Sequence, residues 1–141
     1  MGIKKDAELL HEIILSMQRK IRAKLHNELS SGEISIPQFH ILSYLLEKKE
    51  TIMVDLAKYL EVSASAITGL VDNLVKMGLV KRKFSPSDRR VIIASLTDKG
   101  KKVVTRIKDQ FRNFLEEILK KFSPEERKKL LELSDKMEKF L

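Results

Sequence analysis

The sequence predicts a mainly α-helical protein with one small β-hairpin, in the element order α-α-α-α-β-β-α-α. Apolar residues recur every three or four positions through most of the chain, which is the spacing of amphipathic helices. Between residues 79 and 96 the pattern changes to two short β-branched runs around a turn, which favours a hairpin. The length of 141 residues, the 43% hydrophobic content and the absence of Cys fit one domain without disulfides.

The first two predicted helices lie in the N-terminal third of the chain. Residues 5–29 carry an apolar stripe at helical spacing, formed by Leu10, Ile13, Ile14, Met17, Ile21 and Leu25. Ser35 and Gln38 then have the spacing of a capping box, in which each side chain accepts a backbone N–H of the other residue. Pro37 falls in the first turn, where its missing N–H costs little. A second helix is therefore predicted to begin after Ser35.

Two shorter helices separated by a tight turn are predicted over residues 51–78. The first helix has three inward-facing apolar residues, Leu56, Ala57 and Leu60. The second begins at Ser63, whose hydroxyl suits a helix N-cap, and ends at Gly78, which suits a left-handed C-terminal cap. This spacing of helix, turn and capped helix is the helix-turn-helix signature.

A hairpin and two further helices follow. The runs 79–84 and 91–96 flank residues 85–88, whose Pro and Asp favour a turn, so the hairpin is predicted to form a wing beside the helix-turn-helix. Thr97 is predicted to cap a long amphipathic helix. Residues 123–126 form another capping box with Pro at the first helical position, and they open the last helix.

Positive charge is concentrated in one part of the chain. Residues 76–108 carry 11 Lys and Arg against 2 Asp and Glu, whereas the flanking segments carry nearly equal numbers of both signs. A one-signed block of this size is typical of a surface that binds a polyanion. Double-stranded DNA fits better than an anionic membrane surface, because much of the block lies on the predicted hairpin and not on an amphipathic helix.

The helix after Ser63 and the hairpin carry the candidate DNA contacts. The helix face opposite its apolar side has small and polar residues, which let a backbone approach the major groove and bond bases or phosphates. Arg89 and Arg90 suit the narrow minor groove, and Asp88 is expected to pair with Arg90 and hold the turn. The alternatives are a solvated polar face and a surface ion pair. The predicted contacts are Ser63, Ser65, Ala66, Thr68, Gly69, Asp72, Lys76, Lys81, Arg82, Lys83, Asp88, Arg89 and Arg90.

Several short stretches occur in an order and spacing that are specific only when taken together. They are Ile36-Pro37-Gln38-Phe39 with Ile41-Leu42, Leu56-Ala57 with Leu60, residues 63–74, Gly78-Leu79-Val80, Asp88-Arg89-Arg90, and Leu96-Thr97-Asp98-Lys99-Gly100. On these stretches, residues 33–101 resemble the MarR family of winged helix-turn-helix transcriptional regulators, named for multiple antibiotic resistance. The resemblance implies a homodimer, most often a repressor, that binds a palindromic operator and releases it to a small ligand.

The terminal helices are expected to form the dimer interface. They carry more apolar surface than a small winged helix covers, so burial against a second chain is expected, with packing inside one chain as the alternative. The expected division is a DNA-binding lobe over residues 33–100 and a helical dimerisation lobe over 1–32 and 101–141, in one structural unit. The expected interface residues are Leu10, Ile14, Met17, Ile118, Met137 and Phe140.

The resemblance further implies a small aromatic or phenolic effector, held between the dimer arms and the DNA-binding lobe. Candidate lining residues are Met17, His40 and Tyr44, for which ordinary packing is the alternative. No cofactor is expected. His11, His26 and His40 lack the local spacing of metal ligands, so no metal site is expected either.

Other classes of protein fit the sequence less well. The longest purely apolar runs have only a few residues, so we expect a cytoplasmic protein without a membrane partner. No phosphate-binding glycine loop, nucleophile elbow or His-Glu-x-x-His motif occurs, which disfavours an enzyme. The alternative function is a winged-helix protein-interaction module without DNA binding, and the basic block of residues 76–108 argues against it.

Overall fold

The computed structural model describes residues 2–30 and 34–141, which form helices and three short strands. The helices are α1 (Ile3–Ser30), α2 (Ile36–Lys48), α3 (Met53–Leu60), α4 (Ala64–Lys76), α5 (Asp98–Leu119) and α6 (Pro124–Lys139). The strands are β1 (Glu50–Ile52), β2 (Val80–Phe84) and β3 (Ile92–Leu96). The predicted mainly helical fold with a hairpin wing is confirmed. The lobe boundary predicted between residues 32 and 33 lies outside the described residues.

The sheet contains a third strand that the sequence does not predict. β1 and β2 both pair antiparallel with β3, in the order β1-β3-β2. The three residues of β1 are too few to display an alternating pattern, and the strand depends on pairing with residues 93–95, far along the chain. The predicted order is thus corrected to α-α-β-α-α-β-β-α-α. Because β1 leads directly into α3, it attaches the helix-turn-helix to the wing.

The two predicted capping boxes are present. The N–H of Ser35 donates to Gln38 Oε1 at 3.0 Å, and the N–H of Gln38 donates to Ser35 Oγ at 3.3 Å. Ser123 and Glu126 make the equivalent pair at 2.8 and 3.1 Å. Gln38 is itself buried, and its Nε2 donates to the carbonyl of Leu70 at 3.3 Å. The side chain that caps α2 therefore also fastens α2 to α4.

Helices α2, α3 and α4 and the sheet enclose one hydrophobic core. Each fully buried aliphatic side chain contributes about 1.5–3 kcal/mol relative to leaving it in water. Because α4 is anchored through its inward face, its opposite face is directed to solvent. The buried apolar residues are Ile34, Ile41, Leu42, Leu45, Leu56, Ile67, Val71, Leu74, Leu79, Val80, Ala94, Leu96, Val104 and Ile107.

The connection from α4 to the wing turns on Gly78. Its φ of 75° lies in the left-handed region, which glycine adopts without steric cost, so the predicted C-terminal cap is confirmed. The N–H of Leu79 donates back to the carbonyl of Leu74 at 2.9 Å and closes the end of the helix. Lys99 Nζ donates to the carbonyl of Met77 at 2.9 Å, which places a positive charge at the negative end of the α4 dipole.

The start of α5 holds this connection in place. Thr97 Oγ1 donates to the carbonyl of Gly78 at 2.5 Å and accepts the N–H of Gly100 at 3.0 Å, so the predicted cap also satisfies the end of α4. The Thr97 N–H donates to the carbonyl of Leu79 at 3.1 Å. Gly100 packs so closely that a Cβ at this position would overlap the Leu79 carbonyl oxygen. Consequently the end of α4 and the start of α5 form one joint, which we call the Gly78–Thr97 joint.

The chain divides by its internal packing into two compact units, Met1–Ile107 and Lys108–Leu141. The first unit contains the core, the sheet and the first turns of α5. The second contains the rest of α5 together with α6, in which no side chain is buried. The division into lobes made from the sequence stays a prediction. Within residues 2–30 and 34–141, no helix combines the length and the apolar character needed to span a bilayer.

Candidate nucleic-acid interface

The exposed face of α4 carries the residues that were predicted from the sequence to enter the major groove. Ser63 is the N-cap, and its Oγ accepts the N–H of Ala66 at 3.1 Å. Ile67, Val71 and Leu74 are buried on the opposite side, which orients the helix. The outward face is exposed apart from Asp72, which is half-buried, and consists of Ser65, Ala66, Thr68, Gly69, Asp72 and Lys76.

The hydroxyl groups at the start of α4 are already engaged within the helix. Thr68 Oγ1 donates to the carbonyl of Ala64 at 2.8 Å, so outward it offers lone pairs and a methyl group. The Oγ atoms of Ser63 and Ser65 lie 3.2 Å apart. No atom lies within 4 Å of the place where a Cβ on Gly69 would stand. No side chain therefore projects from the middle of the face, and another molecule can approach the helix backbone there.

Two of the basic residues on β2 form ion pairs within the protein. Arg82 Nη1 lies 2.6 Å from Asp72 Oδ1, so β2 is linked directly to the outward face of α4. Lys83 Nζ lies 3.7 Å from Glu50 Oε2 on β1. Asp72, Arg82 and Lys83 were predicted from the sequence to be separate DNA contacts. In the structure Asp72 and Arg82 form an ion pair with each other. Lys81, on the same strand, is exposed.

The wing tip is held by the pair expected from the sequence. Arg90 donates to Asp88 through its backbone N–H at 3.0 Å, through Nε at 3.2 Å and through Nη2 at 3.3 Å. The side-chain hydrogen bond from Arg90, followed by the backbone one, lowers the pKa of Asp88 below its ordinary value. The N–H of Val91 donates to the Asp88 carbonyl at 3.0 Å and closes the turn.

The arginines at the tip remain available to a partner despite this pair. The Arg90 side chain is 90% exposed although it pairs with Asp88. Arg89 is exposed beside it. The tip thus presents two guanidinium groups on a loop fixed by several hydrogen bonds. Order in a loop before binding lowers the entropy that binding must remove.

The residues expected at a dimer interface present apolar surface. On α1, Leu10 and Met17 are exposed, Met17 by 53%, and Ile14 is half-buried. In the unit Lys108–Leu141, Ile118 and Met137 are exposed, and Phe140 is 82% exposed. The amphipathic pattern of the terminal helices is therefore present, with its apolar side largely uncovered in the single chain.

The three candidate effector residues lie in different surroundings. His40 lines a concavity of about 390 Å³ together with Pro37, Tyr59, Leu60 and Val62. Tyr44 packs against the core and stacks on Tyr59, with ring centroids 4.4 Å apart. Met17 does not line this concavity. The structure thus brings His40 and Tyr44 to the same neighbourhood through Tyr59.

A second concavity was not predicted from the sequence. It has a volume of about 610 Å³ and combines apolar walls with cationic groups, with lining residues Leu15, Gln18, Arg19, Arg22, Ala23, His26 and Ile36. Its α1 residues recur at helical spacing, but they mix apolar and charged side chains, so the spacing alone does not identify a ligand-binding face. No group of three or more potential metal ligands occurs in the part of the chain that the structure describes.

Comparison with known proteins places the chain in one family. The model of the MarR family matches residues 34–92. The transcriptional regulator YfiV of Bacillus subtilis is 32% identical over 140 residues, an alignment that covers 90% of this chain and 87% of YfiV. The chain belongs to the MarR family. The resemblance inferred from the sequence is confirmed.

Two further relatives are also transcriptional regulators. The structure of the transcriptional regulator BldR from Sulfolobus solfataricus is 30% identical, with a TM-score of 0.75 and full coverage of both chains. The transcriptional repressor MdtR of Bacillus subtilis is 31% identical over 101 residues, 70% of this chain and 65% of MdtR. The chain is therefore a DNA-binding transcriptional regulator with a winged-helix fold, in a family that is not one of enzymes.

We expect the wing-tip pair to be visible in the titration of Asp88. Its pKa, measured by NMR at the carboxyl carbon, lies below the ordinary Asp value, and Arg90→Ala raises it toward that value. A carboxyl group with a lowered pKa stabilises the fold above its ordinary pKa and loses this effect as pH falls through the lowered one. Hydrogen-exchange protection at the Val91 amide, whose N–H donates to the Asp88 carbonyl, is thus expected to decline as pH falls through the lowered pKa of Asp88.

The control for this titration is Arg89→Ala, which removes the neighbouring charge and keeps the hydrogen bonds from residue 90. It leaves the pKa of Asp88 close to the wild-type value. If Arg90→Ala also left that pKa unchanged, the hydrogen-bonded pair could not be what orders the wing tip.

Proposed function

We propose that this MarR-family protein is a homodimeric repressor that binds a palindromic operator and leaves it when a small aromatic acid binds. Each chain inserts α4 into the major groove and its wing into the adjacent minor groove. The observation that carries this proposal is the joining of the outward face of α4 to the basic strand β2 by the Asp72–Arg82 pair. This pair couples the two candidate reading elements into one continuous surface.

The outward face of α4 supports a base-reading role. Gly69 has no side chain and Ala66 has a small one, so the helix backbone can approach base edges closely at the centre of the face. Thr68, whose hydroxyl hydrogen is used inside the helix, offers an acceptor for the amino groups of adenine or cytosine and a methyl for thymine. Ser65 and Lys76, at opposite ends of the face, supply contacts to phosphates. In this arrangement Asp72 orients Arg82 and does not itself face a phosphate.

The wing supports an electrostatic role. Arg89 and Arg90 stand exposed on a fixed turn, and guanidinium groups are favoured in the narrow, strongly negative minor groove. Lys81 and Lys83 on β2 add attraction to flanking phosphates, which is independent of sequence and sensitive to salt. A surface used only to bind protein has no need of this block of charge. The interaction-module alternative predicts no salt-sensitive DNA affinity.

We expect duplex affinity to fall steeply with salt. With six to ten phosphate contacts, the association constant drops by roughly 10³–10⁵ between about 50 and 200 mM salt. Arg89→Ala and Arg90→Ala each weaken binding by about tenfold or more, because each removes a cation from the minor groove. The measurement is fluorescence anisotropy of a labelled duplex selected from random DNA by the wild-type protein.

The matched control for these variants is Arg112→Ala. Arg112 also pairs with an aspartate, Asp109, at 2.9 Å, but it lies outside residues 76–108. It leaves DNA affinity unchanged. Thermal unfolding of each variant checks that the fold is retained. Absence of DNA binding, or affinity independent of salt, would contradict the proposal and favour the protein-interaction alternative.

The uncovered apolar surface of the terminal helices supports the proposed homodimer. Burial of exposed side chains such as Met17 and Phe140 favours association by about 25 cal/mol for each Å² of apolar surface removed from water. A second copy of the chain is the natural occupant, because a two-fold dimer presents two α4 helices to the two halves of a palindrome. Occupying the operator blocks transcription, and the relative MdtR is described as a transcriptional repressor.

We expect sedimentation equilibrium to detect only the dimer at micromolar concentration. Met17→Glu weakens dimerisation by about tenfold or more, because it introduces an unpaired carboxylate into an apolar interface. The control Lys5→Glu introduces the same side chain on the polar side of α1 and leaves the dimer intact. A folded, stable wild-type monomer at this concentration would exclude an obligate dimer.

The effector proposal combines the family resemblance with the second concavity. Arg19 and Arg22 are suited to hold a carboxylate, since guanidinium and carboxylate groups form charge-assisted, often bidentate hydrogen bonds. Leu15 and Ile36 offer apolar walls to an aromatic ring. The concavity at His40 is more apolar and has fewer cationic groups, so it suits a neutral phenol better. We therefore assign the acid to the concavity of Arg19 and Arg22.

We expect salicylate, used as the probe acid, to release the selected duplex from the wild-type protein. Arg22→Ala raises the salicylate concentration needed for half-release by about tenfold, and Arg22→Lys gives a smaller increase, because Lys keeps the charge and loses the planar fork. DNA affinity without salicylate is unchanged in both. If His40→Ala shifted the release and Arg22→Ala did not, the acid would bind at the other concavity.

A further inference from the structure

An exposed aromatic ring lies at the end of β2, on the wing. Phe84 is the last residue of the strand and is 65% exposed, although burial of a phenyl ring is favourable. It was not among the residues nominated for DNA contact. In the register of the two strands Phe84 lies opposite Ile92 on β3, which is half-buried. The neighbouring strand therefore covers only a part of it.

The face of the sheet on which Phe84 lies is the one directed toward α4. Side chains alternate along a strand, so Val80, Arg82 and Phe84 share one face. Val80 is buried in the core, and Arg82 reaches Asp72 on α4. The phenyl ring thus continues the row of the proposed DNA-facing residues, between Arg82 and the wing tip.

The surroundings of the ring combine apolar and cationic groups. Arg82, Lys83, Phe84 and Ile92 line a concavity of about 270 Å³. The turn that carries Arg89 and Arg90 follows immediately along the hairpin. A partner for this surface needs an apolar element a few ångströms from negative charges. The walls of the DNA minor groove offer this combination, since deoxyribose rings alternate there with phosphates.

We propose that Phe84 is a further DNA-contact residue that packs its ring on deoxyribose at the wall of the minor groove. The proposal rests on the placement of the wing in that groove. The cations next to the ring bind the flanking phosphates, while Phe84 adds an uncharged contact that removes apolar surface from water. Its contribution therefore does not depend on counterion release, in contrast to that of the arginines at the tip.

The test compares Phe84→Ala with the wild type on the selected duplex over a range of salt concentrations. We expect affinity to fall by about tenfold at every salt concentration, as expected for a phenyl ring that is no longer buried. The slope of log affinity against log salt is unchanged, whereas Arg89→Ala makes it shallower. The matched control is Phe122→Ala, which removes another exposed aromatic ring, one that lies outside residues 33–100, and leaves affinity unchanged.

A second variant makes the result independent of any effect of Phe84→Ala on the wing. The chain contains no Trp, so Phe84→Trp introduces its only Trp at the proposed contact, and Trp emission can be excited selectively over that of the two Tyr. We expect the Trp emission to change on saturation with duplex. Unchanged emission while anisotropy reports binding, or wild-type affinity in Phe84→Ala, would overturn the proposal. A wild-type protein that binds no duplex would instead overturn the proposed function.

Discussion

The position of α4 relative to the wing depends on the Gly78–Thr97 joint. The left-handed φ of Gly78 ends α4 and turns the chain into β2, and the Thr97 hydroxyl bridges the Gly78 carbonyl and the N-terminus of α5. Gly100 permits the close approach of the two backbones. A change at any of these positions alters the angle between two surface elements without touching either surface. The position of the residues proposed to read DNA therefore depends on the rigidity of this joint.

A second constraint is the pairing of cations with carboxylates across the proposed interface. Arg82, Lys83 and Arg90 each pair with an acidic residue, on α4, on β1 and at the wing tip. Such exposed pairs contribute little to the free energy of folding, about 0–1 kcal/mol each. Their effect is instead on geometry, because each one restricts a long, flexible side chain. Residues 76–108 keep a large positive excess, so the attraction to phosphate is retained.

Much of the fold follows from local rules that the sequence displays. The capping boxes at Ser35 and Ser123 and the glycine at the end of α4 have local physical causes, and their positions could be predicted. The Asp88–Arg90 pair could also be predicted, because its partners are two residues apart. β1 could not, since three residues pair with a strand that lies some forty positions later in the chain.

The candidate site shows the same division between local and distant interactions. The outward face of α4 could be predicted from helical spacing alone. The Asp72–Arg82 pair could not, because it depends on how β2 packs beside α4. The concavity of Arg19 and Arg22 requires α1 and Ile36 to meet, which no local pattern encodes. The exposure of Phe84 could likewise not be predicted, since phenylalanine is among the residues most often buried.

The order of the strands gives the wing cations another consequence. β2 lies at the edge of the sheet, so among the residues that the structure describes no strand pairs with one side of its backbone. An unprotected edge of this kind invites pairing with a strand of another molecule and hence aggregation. Three consecutive basic residues, Lys81, Arg82 and Lys83, make two such edges repel each other. The cations proposed to attract DNA are thus also expected to oppose polymerisation of the free protein through its wing.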